Sequence, residues 1–175
     1  MLRQVAAGHK DAMGELYRRH GDVLFAQIRF VTGDLALSEE ILQDTMVAIW
    51  RGAASFRGES KARSWMIAIA HRQARVRLRR RRLRVVDDGF LAALPSPAPG
   101  PEHVALGRAE AAAVIGAIKR LDTAHREVLG LAVGAGLPQS EIAEVLQVPV
   151  GTVKSRISAA RAALADALSR EGYAR

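Results

Sequence analysis

The residues of this chain best suited to chemistry are cationic. The segment RQARVRLRRRRLR, from Arg72 to Arg84, holds eight arginines and no acid. The whole chain has 26 Lys plus Arg against 18 Asp plus Glu, so outside this segment 18 basic residues balance 18 acidic ones. The entire net charge of +8 therefore lies in one short stripe. Arg72, Arg75 and Arg79 recur at steps of three and four and share a helix face. A localised stripe in an otherwise neutral chain suits contact with a polyanion. The plainer alternative is a solvated helix face.

A second donor-rich face lies near the other end. Thr152, Lys154, Ser155, Arg156, Ser158 and Arg161 carry hydrogen-bond donors, and no carboxylate follows before Asp166. Val150, Val153, Ile157, Ala160, Leu164 and Leu168 form an apolar stripe on the same segment at steps of three or four. Ahead of it, residues 138–146 read as a short helix burying Ile142, Val145 and Leu146, and Gln147-Val148-Pro149 as a turn. The pattern is a helix-turn-helix whose second helix could enter a major groove, where Arg and Lys read guanine edges and hydroxyls bind phosphate. Gly151-Thr152 stands at the helix start, where free N–H groups favour phosphate. Ordinary capping of an exposed helix is the alternative.

A third cluster is acidic. Glu39, Glu40, Gln43 and Asp44 gather on the polar side of a helical segment, 34–52, whose apolar side is Leu37, Ile41, Leu42, Thr45, Ala48 and Ile49. From periodicity alone this is a solvated face with acids near a helix N-terminus. Glu40 and Asp44 could be paired as acid and base or as metal ligands, but no histidine, phosphate loop or third carboxylate stands at the needed spacing. No metal, cofactor or enzymatic activity is expected. His125 reads as a surface residue near a helix start.

The elements that must position these faces are helical. Ala, Leu, Arg and Val dominate, and the residues that strands prefer are few. Residues 12–31 form an amphipathic segment with Leu16, Tyr17, Leu24, Phe25 and Ile28 as core, and 63–82 another with Trp65, Ile67, Ile69, Ala70 and Leu78 on its buried side. Breaks are expected at Gly21, at Gly33 and at Phe56-Arg57-Gly58. Residues 85–107 contain four of the six prolines and read as a linker. Beyond it, Val114, Ile115, Ile118 and Leu121, then Val128, Leu129 and Leu131, mark two supporting helices. The expectation is an all-α protein of two small helical domains, 1–84 and 108–175, joined by a flexible Pro-rich linker at 85–107. Fully extended, that linker would span roughly 75 Å, so the domains could engage one elongated partner at separate points. Absence of cysteine excludes disulfides and thiolate metal sites. Neither a signal peptide nor an apolar run long enough to span a membrane is visible, so a cytoplasmic location without membrane insertion is expected.

Two resemblances join these parts. LDTAHREVLGL, SEIAEVL and VPVGTVKSRISAARAAL, from Leu121 through Leu168, resemble region 4 of extracytoplasmic-function sigma factors. The family usually has Leu-Pro where this chain has Leu121-Asp122, Gly where it has Gln147, and Arg where it has Ala159. Ser38-Glu39-Glu40, Ile41-Leu42, Gln43-Asp44 and Trp50 resemble region 2.2 of the same family, and residues 63–82 resemble regions 2.3 and 2.4. There the family often has Ala-Arg-Asn and an apolar-Asp pair, against Ala70-His71-Arg72 and Arg75-Val76 here.

The resemblance implies a sigma factor that binds core RNA polymerase and directs it to promoters. Glu40, Gln43, Asp44 and Trp50 would dock on the β′ clamp helices. Lys61, Arg63, His71, Arg72, Arg75 and Arg79, with the loop Ser55 to Lys61, would hold the melted −10 strand. The six donor residues of the C-terminal helix would read the −35 element, with the β flap as a further contact of polymerase. An anti-sigma factor is expected by analogy. A polymerase-independent DNA-binding regulator, or an RNA-binding protein using the arginine stripe, remain the alternatives from the residues alone.

Overall fold

The computed structural model describes residues 1–88, 114 and 116–170, and among them only helices and turns occur. Helix α1 (Leu2–Ala6) precedes three longer helices: α2 (Lys10–Thr32), α3 (Leu35–Gly52) and α4 (Ala62–Asp88). Apolar spacing of three and four builds their common core from Leu16, Leu24, Ile28 and Val31 of α2, Ile41 and Ile49 of α3, and Met66, Ile67, Ala70 and Ala74 of α4. Leu2 and Val5 of α1 close one end.

Local chemistry fixes the corners. Gly33 ends α2 in the left-handed conformation at φ 69°, its N–H bonded to the Arg29 carbonyl. Asp34 then caps α3, its Oδ1 accepting from the Leu37 N–H at 3.1 Å. Helix α2 runs through Gly21, where a break was expected. Gly21 is buried and the Tyr17 ring folds over it, so packing outweighs a glycine penalty of about 1 kcal/mol. Tyr17 itself is half exposed rather than core, and Phe25 is only part-buried. The last helix of this half continues to Asp88, four residues into the expected linker; the rest of that segment lies outside the described residues.

In the C-terminal half, residues 116–120 are helical, and Asp122 caps α5 (Thr123–Leu129) by accepting from the His125 N–H at 2.9 Å. A π turn over Gly130–Gly134 follows, closed by the Ala135 N–H on the Gly130 carbonyl. Helices α6 (Gln139–Leu146) and α7 (Val150–Arg170) complete the helix-turn-helix. Gln147, at φ 54°, takes the left-handed turn position where the family usually has glycine. Ile142, Ala143, Leu146, Val153, Ile157 and Ala160 pack with Val128, Leu129 and Leu131 as expected. Val114 and Val150 differ, both being exposed, Val150 at the start of α7; Ile115 lies outside the described residues.

The two halves also pack against each other, α2 on α5 and the π turn, and α4 on α6. Separate domains were expected from the linker; the halves meet where Gln27 and Phe30 of α2 lie against Gly130, and where Lys61 and Arg75 pair with Glu141 and Glu127. Ile28, fully buried in α2, is a test of the N-terminal core. Ile28→Ala is expected to cost roughly 2–5 kcal/mol, read as a lowered urea midpoint, because the cavity relaxes only partly.

Candidate nucleic-acid interface

Helix α4 carries the arginine stripe, but its eight arginines are not all free. Arg77 lies 3.0 Å from Glu40 and 3.5 Å from Asp44, and Arg81 lies 3.0 Å from Asp34. The Arg81 contact and the Leu37 N–H hold the Asp34 carboxyl below its ordinary range, the backbone bond contributing most. Arg75 reaches Glu127 at 3.6 Å. Arg72, Arg79 and Arg80 are exposed, without an acidic partner among the described residues; Arg82 and Arg84 lie outside the described side chains. Counting charge along the sequence missed this compensation, because the acids come from other helices.

The loop before α4 starts as a 3-10 turn, Ala53–Ser55, and carries Phe56 onto Trp65 with ring centroids 5.2 Å apart. Trp65 also lies against Gly52, so it is packed beneath the loop rather than presented to solvent. Beneath Ala53–Gly58 opens a cleft of about 470 Å³, lined among others by His20, Phe56, Arg57 and Met66. Burial, then Arg63 and Arg19, lower the His20 pKa and favour its neutral form. An apolar-walled cleft edged by cations is chemistry suited to an unstacked base beside its phosphates. Sequence reasoning gave the loop but not the cleft.

Of the six residues expected on this strand-binding face, Lys61, Arg63, Arg72, Arg75 and Arg79 are exposed. Lys61, Arg63 and Arg75 contact the C-terminal half, and His71 is buried with 3% exposure. His71 therefore contacts no solvent-borne ligand in this arrangement. Burial, reinforced by Arg75, lowers its pKa to about 4, so the imidazole is neutral at pH 7. Glu127, 3.9 Å away, is pushed up by the same burial, against opposing pulls from Arg75, Arg156 and Arg126. His71 is therefore neutral here, and Arg75 is the cation that Glu127 meets.

A pH dependence follows. A histidine whose folded pKa is depressed gains its proton on unfolding between pH 4 and 6.5, so its contribution to stability is present above about 6.5 and lost as pH falls toward 4. Glu127 opposes it, since its raised pKa relieves burial on acidification. The urea midpoint is expected to fall from pH 7 to pH 5 by an amount equivalent to about 1–2 kcal/mol, and His71→Leu should flatten that fall. An unchanged slope in the variant would place the titrating group elsewhere.

On α3, Glu40, Gln43 and Asp44 are exposed as expected, and Trp50 stands at the far end of the same face. The structure adds neighbours that the sequence did not single out. Met13 and Tyr17 of α2 join Met46, Val47 and Trp50 in an apolar groove, with Tyr17 and Val47 about half exposed. An exposed Val47 one turn beyond Asp44 was the available signal. The face is acidic at one end and apolar at the other.

On α7, Lys154, Ser155, Ser158 and Arg161 are exposed, while Thr152 and Arg156 are part-buried. At about 100° per residue, Thr152 and Arg156 sit on the edge opposite Lys154 and Arg161. The Ser155 hydroxyl donates to the Thr152 carbonyl at 3.0 Å, leaving its oxygen free to accept. The six expected residues thus share the helix but not one face. Among the described residues no group of three or more metal-ligating side chains occurs, and no helix is long and apolar enough to cross a membrane.

Comparison with known proteins is consistent across the chain. Residues 16–84 match the family model described as Sigma-70 region 2, and residues 111–164 match that described as Sigma-70, region 4. RNA polymerase sigma factor CnrH of Cupriavidus metallidurans is 32% identical, over 98% of this chain and 94% of its own length. The ECF RNA polymerase sigma factor SigK of Mycolicibacterium vanbaalenii is 32% identical, over 90% and 82%. Among solved structures, CnrH in complex with the cytosolic domain of CnrY has a TM-score of 0.73 at 30% identity, covering 97% of this chain and 95% of that one. The sigma factor RpoE of Bartonella quintana, in complex with the anti-sigma factor NepR, has 0.77 at 25%, covering 92% and 98%.

Proposed function

Since the chain belongs to the sigma-70 family of RNA polymerase sigma factors, of the extracytoplasmic-function type, we propose that its residues divide the work of initiation between the two halves. The protein binds core RNA polymerase and directs it to promoters. Residues 1–84 form the unit that docks on polymerase and opens −10 DNA, and residues 108–175 the unit that reads −35 DNA. The chain supplies recognition and strand capture, leaving chemistry to the polymerase, so it is not itself an enzyme, and it works in the cytoplasm.

The observation that carries this reading is the pairing, on one helical bundle, of an exposed α3 docking face with a cation-edged cleft beside α4. Glu40, Gln43 and Asp44 offer acceptors to a basic partner, and Trp50 with its apolar neighbours offers a desolvated anchor of the kind that dominates interfaces. Arg72 and Arg79, with Lys61, Arg63 and Arg75 once freed, would track the strand backbone, while the cleft takes a base. On α7, Lys154, Ser155, Ser158 and Arg161 face outward for duplex contact, with Thr152 and Arg156 at its edge. An anti-sigma factor would compete with polymerase for the α3 face.

The test is co-elution with purified core RNA polymerase on size exclusion. The wild type should co-elute, and Gln43→Ala/Asp44→Ala should weaken the complex roughly tenfold or more. A folded wild type that does not co-elute would instead favour a stand-alone DNA-binding regulator.

A further inference from the structure

The cleft beneath Ala53–Gly58 has one wall outside the residues that match Sigma-70 region 2. That match covers residues 16–84, whereas Leu2, Arg3 and Ala6 of α1 also line the cleft. Spacing explains how so short a helix presents them. Leu2 and Val5, one turn apart, are buried and hold α1 against the turn at Ala53–Ser55. Arg3 and Ala6, each one residue further round, share the neighbouring edge. Gly8, at φ 86°, then bends the chain into α2, while its N–H and that of His9 bond the Val5 and Gln4 carbonyls.

The lining is selective in what it lacks. No carboxylate and no side-chain amide borders the cleft, so adenine finds no Asn or Gln there and the cytosine amino group no acid. Leu16, Phe56 and Met66 offer apolar surface to the faces of a base. Two guanidinium groups border the cleft, and they are not equivalent. Arg57 is drawn to Glu59, its Nε 3.3 Å from Oε1. Arg3 is exposed and has no acidic partner among the described residues. A guanidinium fork matches two adjacent acceptors, and guanine presents that pair at O6 and N7.

We propose that α1 completes the base cleft and that Arg3 is its specificity-determining residue, selecting an unstacked guanine over the other bases. The inference rests on the reading of this cleft as a base site. Ala6, small and on the same edge as Arg3, leaves the space into which the base fits.

The experiment uses the full chain and fluorescent 15-nucleotide DNA strands that are abasic except for one central base. By anisotropy, the guanine strand should bind the wild type about tenfold tighter than the adenine or cytosine strand, with thymine between. Arg3→Ala should bring the four strands within about twofold of one another, all still tighter than a wholly abasic strand, because the apolar contact with the base remains. Arg3→Lys keeps the charge without the fork and should recover only a small part of the preference. Ala6→Phe should fill the cleft and bring every base-bearing strand down to the abasic level. Arg18→Ala removes an exposed cation outside the cleft and should leave the preference intact. Since Arg3 is exposed and unpaired, its variants should keep the wild-type urea midpoint. A wild type that binds abasic and base-bearing strands alike would mean that the cleft takes no base, and the reading beneath the inference would fall with it. A base preference that survives Arg3→Ala, or a preference for a base other than guanine, would keep the base site and overturn the role given to α1.

Discussion

Replacing Arg72, Arg79 and Arg80 together by alanine is expected to weaken binding of single-stranded DNA by the polymerase-bound protein on the order of a hundredfold at low salt. These three are the stripe's exposed arginines without an acidic partner among the described residues, so their charge is available to phosphate. Arg77 and Arg81 are already held by Glu40, Asp44 and Asp34, and their removal should affect DNA much less. Salt provides the sharper readout. Each phosphate contact on a single strand contributes about 0.7 to the slope of log affinity against log salt, so the triple variant should flatten it by about 2. A loss of affinity with an unchanged slope would mean that the arginines shape the helix rather than neutralise phosphate. Stability should change by less than about 0.5 kcal/mol, since exposed arginines without partners contribute little to folding.

How much of this was legible in the sequence depended on whether the signal was local. Most helix spans and the helix-turn-helix were readable, because apolar spacing and turn residues act over a few positions. Gly21 misled because its helix-breaking tendency is overruled by a packed Tyr17 ring. Tyr17 misled in turn, since an aromatic at core spacing can equally line a groove; its exposure is decided by Met46, Val47 and Trp50 of the next helix, distant in sequence. The stripe's apparent excess of charge failed for the same reason, being answered by acids from α3 and from the C-terminal half. Glu127 carried no sequence signal at all. In REVL it reads as an ordinary polar helix position, and only the packing of α4 against α5 buries it beside His71 and Arg75. The left-handed Gln147 lies between these cases: the turn was evident, but its backbone conformation was not.

Lys154→Ala/Arg161→Ala should have the opposite selectivity to the stripe variant. Both residues are exposed on the same edge of α7, two turns apart, with Ser158 between them. A helix laid in a major groove presents that edge to base rims and the adjoining phosphates, where one well-placed pair contributes about 1–3 kcal/mol of discrimination. On duplexes selected from a random pool by the wild-type protein with core polymerase, the double variant should lose roughly 30- to 300-fold in affinity. Its affinity for single strands should stay within about twofold, because α7 lies outside the cation-edged cleft. Arg156→Ala should cost the duplex less than either, since Arg156 is part-buried on the opposite edge, close enough to Glu127 to pull its pKa down. If Arg156→Ala proved the most damaging of the three, the helix would have to rotate in the groove toward its Thr152 edge. Equal loss on duplex and single strand would mean that the two halves read one continuous surface instead of two, and the division of −10 and −35 recognition between them would fall.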